Sequence, residues 1–170
     1  LAFDELFLMQ MAVIQRKRDW QEEGRGTPIS ASRASLGAFL ASLPFVLTAA
    51  QESALDEILG DLSRVSPMGR LLQGDVGSGK TVVATAALLA AVLDGYRGAL
   101  MVPTEILAEQ HFINVSNLLS GGSHASREEN VVEVSVPGRE EPVAVGLLLG
   151  SLPKRAKNAL HRRIADGGVD

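Results

Sequence analysis

The chain contains no cysteine in its 170 residues. Disulfides, zinc–thiolate sites and a cysteine nucleophile are therefore excluded, and the composition fits a reducing cytosol. Long apolar runs are missing as well: none approaches the ~20 residues that a bilayer-spanning helix needs. Leu6 to Ile14 is interrupted by Gln10, and no cleavage-site pattern follows it, so it is a poor signal peptide. No membrane partner is expected. An excess of positive charge is absent too, since 16 Lys and Arg stand against 20 Asp and Glu, a net charge of -4. The molecule as a whole is no polycation, so any nucleic-acid contact has to be local. There is no internal repeat. The chain also begins at Leu1 without a Met, as expected of a piece cut from something longer. What is present suits one domain plus an appendage, with 46% hydrophobic residues to build a core.

One stretch carries the chemistry. Arg70 to Ala84 contains Gly74-x-x-x-x-Gly79-Lys80-Thr81, the phosphate-binding P-loop pattern. Arg70-Leu71-Leu72-Gln73 before it suits a short strand, and Thr81 to Leu93 after it is almost wholly apolar, which suits a buried helix. Glycines at 74, 77 and 79 let the backbone curl until successive amides point inward, forming an anion nest at a helix N-terminus. Asp75, Val76 and Ser78 complete the loop. Lys80 can reach terminal phosphates, and the Thr81 hydroxyl can ligate Mg²⁺. The bland reading is a Gly-rich turn that binds nothing.

Along the chain, Leu1 to Glu23 reads as one amphipathic helix, with Phe3, Leu6, Phe7, Val13 and Ile14 at helical spacing. Arg16-Lys17-Arg18 lies toward its C-terminal end, where cations suit the macrodipole. Trp20 is either an anchor against the main domain or a partly exposed aromatic. Gly24 to Ser30 has linker composition, and Ala31 to Leu43 reads as a short helix ended by Pro44. Thr48 is a natural N-cap for a helix to about Leu62, whose buried face is Ala54, Leu55, Ile58, Leu59 and Leu62. Gly98 to Val102 is a continuous apolar run, read as a strand buried on both faces, and Thr104 caps a following helix to about Leu119. Ser120 to Pro142 holds three glycines, two prolines and a net charge of -3; it reads as a surface insertion of disordered composition, with a hint of a hairpin strand at Val131, Val134 and Val136. Val143 to Leu149 returns to the buried-strand pattern. Pro153 opens a final helix with an apolar stripe of Ala156, Leu160 and Ile164 and a basic face of Lys154, Arg155, Lys157, Arg162 and Arg163. Val169-Asp170 could start another strand. The alternation of strand and helix predicts an α/β fold with parallel strands and right-handed crossovers.

Gly74-Asp-Val-Gly-Ser-Gly-Lys-Thr81, together with Met101-Val-Pro-Thr-Glu-Ile-Leu-Ala-Glu-Gln-His111, resembles the first motor lobe of the bacterial RecG family of superfamily 2 ATP-dependent DNA helicases. Leu43-Pro-Phe-Val-Leu-Thr-Ala-Ala-Gln51 resembles the segment before the P-loop in that family, and Leu1-Ala-Phe-Asp-Glu-Leu6 its helical connector. The resemblance implies a truncated RecA-like P-loop NTPase lobe, with a parallel sheet flanked by helices, over residues 43–170, after a helical connector over 1–42. It implies a monomer in the bacterial cytoplasm, associated with the nucleoid, that remodels forks and Holliday junctions in recombination and repair. Gln51 would read adenine, Lys80 and Thr81 would keep the P-loop roles, and ATP with Mg²⁺ would be the cofactors. Pro103-Thr104 and Gly150-Ser151 would touch the DNA backbone.

The resemblance also implies an Asp-Glu pair after a later strand and an arginine finger in a second lobe. The Asp-Glu pairs here are Asp4-Glu5 and Asp56-Glu57, and neither follows an apolar strand. This piece alone is therefore expected not to hydrolyse ATP at useful rates. The alternatives are the duplex translocase of transcription-coupled repair, a P-loop kinase or small-molecule NTPase, and a non-catalytic nucleotide-binding module.

Overall fold

A computed structural model describes residues 2–23, 26–30, 32–121, 126–128 and 130–170. Its elements are α1 (Ala2–Glu23), α2 (Gly37–Ser42), α3 (Ala49–Leu62), α4 (Lys80–Leu93), α5 (Glu105–Ser120), β1 (Ser126–Glu128), β2 (Val131–Val134), β3 (Val143–Gly146) and α6 (Lys154–Ala165). The core gathers Leu55, Ile58 and Leu59 of α3, most of α4, Phe112 and Leu119 of α5, and the valines of β2 and β3. Helix α4 sits in the middle, packed on α3 and α5, and α5 packs on β2 and β3. That position explains why α4 is apolar on every side: Val82, Val83, Ala86, Leu89, Ala90 and Val92 are all buried. The buried Thr85 hydroxyl donates to the Thr81 carbonyl at 2.8 Å, which satisfies its polar group inside the helix.

Helix α3 begins as its sequence requires. The Thr48 hydroxyl accepts from the Gln51 amide at 3.3 Å, and the Thr48 amide donates to Gln51 Oε1 at 2.8 Å, a reciprocal capping box. The expected helix from Ala31 to Leu43 is shorter, only Gly37–Ser42; Ala31 itself lies outside the described residues. Ser32 and Ser35 bond to each other's backbone there, and these local turns displace the first helical turn. The 26–30 stretch, read as a linker, is tied down: Gly26 donates to the Val65 carbonyl at 2.6 Å and Ile29 to the Leu62 carbonyl at 2.9 Å. In α1 the apolar residues Phe3, Leu6, Phe7, Val13 and Ile14 are exposed, with Phe3 stacked on Phe7. The Trp20 side chain lies outside what is described.

The sheet differs from expectation. The described strands form one antiparallel sheet in the order β1-β2-β3, with Val131 opposite Gly146 and Val134 opposite Val143. No parallel pairing is present among the described residues. Residues 70–73 and 98–102 form neither helix nor strand and make no backbone pairing among the described residues. Leu71 is 85% exposed and Met101 94%, so neither run is a strand buried on both faces. The 120–142 stretch, in contrast, supplies core: Val131, Val132, Val134 and Val136 are buried, so it is no mere surface appendage there. Asp170 lies along β3, its amide donating to the Ala144 carbonyl at 3.0 Å while its carboxylate accepts from the Ala144 amide at 2.8 Å.

Candidate nucleotide and nucleic-acid site

The loop from Gly74 to Thr81 closes over the start of α4. Gly77 and Gly79 have φ of 82° and 81°, the left-handed region that disfavours a Cβ. With Gly79 as N-cap, no side chain caps α4. The amides of Gly77, Gly79, Lys80 and Thr81 have no acceptor among the described residues. Those of Lys80 and Thr81 are orphan donors of a helix start, and those of Gly77 and Gly79 belong to the turn that leads into it. Gly74 is packed against the same loop, for a Cβ there would meet Ser78 Oγ at 2.7 Å.

Two side chains brace the loop. Lys80 Nζ donates to the Gly74 carbonyl at 2.8 Å and the Asp75 carbonyl at 2.7 Å, spanning the curl from within. Gln51 Nε2 donates to the Ser78 carbonyl at 2.8 Å, while its Oε1 serves the Thr48 cap. Gln51 thus joins the start of α3 to the P-loop. One amide hydrogen and one oxygen lone pair remain for a ligand. Arg70 holds the segment that enters the loop to α3 through Glu57 at 2.6 Å and Asp61 at 2.6 Å. These ion pairs hold the Arg70 guanidinium above its usual range, the bond to Asp61 contributing most.

The second predicted cluster also comes together. Thr104 caps α5, its hydroxyl accepting from the Leu107 amide at 3.3 Å. The next residue, Glu105, accepts from the Ser151 amide at 2.6 Å, so Pro103-Thr104 and Gly150-Ser151 share one junction. Bonding from the Ser151 side chain and then its amide, with the Lys157 charge in addition, holds the Glu105 carboxyl below its usual range. Lys157 Nζ in turn donates to the Gly150 carbonyl.

Comparison with known proteins adds what geometry alone lacks. The family model described as DEAD/DEAH box helicase matches residues 48–142, more than half of the chain. The chain belongs to the DEAD/DEAH box helicase family. It is similar to the ATP-dependent DNA helicase RecG of Streptococcus pneumoniae, 46% identical over 149 residues that make up 83% of this chain and 22% of that protein. The protein of the same name from Aquifex aeolicus is 41% identical over 167 residues, 98% of this chain and 19% of its own length. That from Bacillus subtilis is 40% identical over 168 residues, 99% of this chain and 22% of its own. The chain therefore spans about a fifth of the length of these curated relatives. Membership of the DEAD/DEAH box family carries a RecA-like α/β fold, so the fold class stands at that level.

Sequence reasoning missed three features of this region. Arg70 as a brace and Glu105 as the junction's acceptor are pairings across 9 and 46 residues, with no local signal. The third is a cavity of about 500 Å³ beside the start of α3, lined by Arg33, Leu40, Pro44, Phe45, Leu47 and Glu52. Among the described residues no cluster of three or more His, Asp or Glu could hold a metal, and no helix is long and apolar enough to cross a membrane.

Proposed function

We propose that this chain is the ATP-binding front of the first motor lobe of an ATP-dependent DNA helicase that remodels forks and Holliday junctions in recombination and repair. The observation that carries it is the set of four unaccepted amides at Gly77, Gly79, Lys80 and Thr81, closed over by Lys80 and tethered by Gln51. Such a run of free donors beside the Lys80 charge suits the oxygens of a triphosphate. On binding, Lys80 exchanges its two carbonyl partners for phosphate oxygens, a stronger, charge-assisted set. Gln51 keeps its hold on Ser78 and offers its remaining donor and acceptor to the adenine edge. Thr81, with a hydroxyl unbonded among the described residues, is the residue to hold Mg²⁺, which would neutralise developing phosphate charge. Pro103, Thr104, Gly150 and Ser151 meet the DNA backbone, where the Thr104 O–H still donates although its oxygen caps α5.

In this reading residues 1–42 are the helical connector and 43–170 part of the lobe. The unpaired 70–73 and 98–102 segments, with Leu71, Leu100 and Met101 uncovered, support a parallel sheet that further strands of the motor complete. The motor works as a monomer in the bacterial cytoplasm at the nucleoid. Titration of a fluorescent ATP analogue with Mg²⁺ tests the reading: saturable binding is expected, weakened about a hundredfold in Lys80→Ala. Binding indifferent to that change leaves the loop a mere turn. Steady-state ATP turnover by these 170 residues is expected near background, with or without forked DNA, because no strand delivers an Asp-Glu pair.

A further inference from the structure

We propose that the exposed face of α6 is a track for a nucleic-acid phosphate backbone, extending the Thr104–Ser151 junction; the inference rests on the DNA-motor reading above. Helix α6 carries Lys154, Arg155, Lys157, Arg162 and Arg163 and no carboxylate, in a chain whose net charge is -4. Two of the five cations are engaged in the fold. Lys157 donates to the Gly150 carbonyl, and Arg163 bonds Glu133 at 3.0 Å and the Gly168 carbonyl at 3.0 Å. The other three, Lys154, Arg155 and Arg162, are exposed and make no ion pair among the described residues.

Their placement is not random around the helix. Seven residues separate Arg155 from Arg162, which brings them back to the same face about 10 Å apart along the axis. Asn158 and Ala159, both exposed, lie between them and leave the face low and unobstructed. Lys154 flanks it, Leu160 anchors the opposite face in the core, and Asp166 closes the face at its C-terminal end. The face starts three residues after Ser151, whose amide is fixed by Glu105. An extended polyanion crossing the junction would run onto it. Two arginines and a lysine match phosphates in charge and fork geometry, whereas an acidic protein segment would need no such junction at the helix start.

The test measures binding of the full chain to a fluorescent forked DNA at several salt concentrations. Lys154→Ala/Arg155→Ala/Arg162→Ala should lower affinity on the order of a hundredfold near 0.1 M salt and reduce the log–log salt slope by about 2 to 3. Affinity for the ATP analogue should stay at the wild-type value. Arg155→Gln/Arg162→Gln, which keeps side-chain bulk, guards against misfolding and should reduce the slope by about 2. A folded variant with unchanged affinity and slope overturns the track, as does wild-type binding of polyglutamate as tight as that of DNA. Failure of the unaltered chain to bind DNA while it still binds the nucleotide sinks the motor reading along with it.

Discussion

Helices α4 and α5 both point an N-terminus at a loop read as phosphate-binding, yet the two ends are built oppositely. The α4 end has a glycine at its cap and leaves its amides without acceptors. The α5 end is closed by its own Thr104 hydroxyl and sits next to a carboxylate engaged with Ser151. An end with orphan donors has a use for a bound anion; a capped end has less. The nucleotide end should therefore respond to loss of single donors and weakly to salt. The nucleic-acid end should act through exposed cations and respond strongly to salt.

That contrast can be broken at four places, in falling order of effect. Lys80→Ala should weaken the ATP analogue by about a hundredfold, from the loss of charge-assisted bonds, while leaving DNA affinity alone. An equal loss of DNA binding would show that the two ends are not separate. Gly79→Ala forces a Cβ into the left-handed region against Gln51, and should cost about 1–2 kcal/mol of strain and roughly tenfold in nucleotide affinity. Gln51→Ala removes half of a capping box and the tether to Ser78. A drop of about 0.5–1 kcal/mol in chemical stability and a severalfold loss of nucleotide affinity are expected, with no change in the DNA salt slope.

The smallest effect concerns pH. Glu105 has a folded pKa below its unfolded value of about 4.3, so its contribution is present above that value and is lost as pH falls through the folded pKa. The Ser151 amide resonance should accordingly titrate with a midpoint below the ordinary glutamate range, and in Glu105→Gln it should stay flat. A midpoint near neutrality would mean that Glu105 is not what joins the two loops.

Local chemistry made much of this legible. The Thr48 cap fixed the start of α3, Thr104 that of α5, and glycine spacing the curl ahead of α4; each depends on residues a few positions apart. Pairing across the chain was not legible. Gly98 to Val102 and the valines of Val131 to Val134 are both apolar, but the first segment is unpaired and largely exposed while those valines are core. Apolar character says that a segment wants a partner and is silent about which one. The glycines, prolines and glutamates of 120–142 masked valines that alternate into the interior, and composition averaged over the stretch outweighed the period-2 signal inside it. The Glu105–Ser151 tie spans 46 residues and depends on how α5 and the 147–152 turn meet.

The claim at the centre is that the loop's bare amides receive the triphosphate. Amide-resolved NMR of the ¹⁵N-labelled chain, titrated with a non-hydrolysable ATP analogue and Mg²⁺, tests it residue by residue. The amides of Gly77, Gly79, Lys80 and Thr81 should move together and saturably, and in Lys80→Ala the loop amides should respond only at about a hundredfold higher ligand concentration. Shifts confined to other parts of the chain, or none at all, would contradict the account.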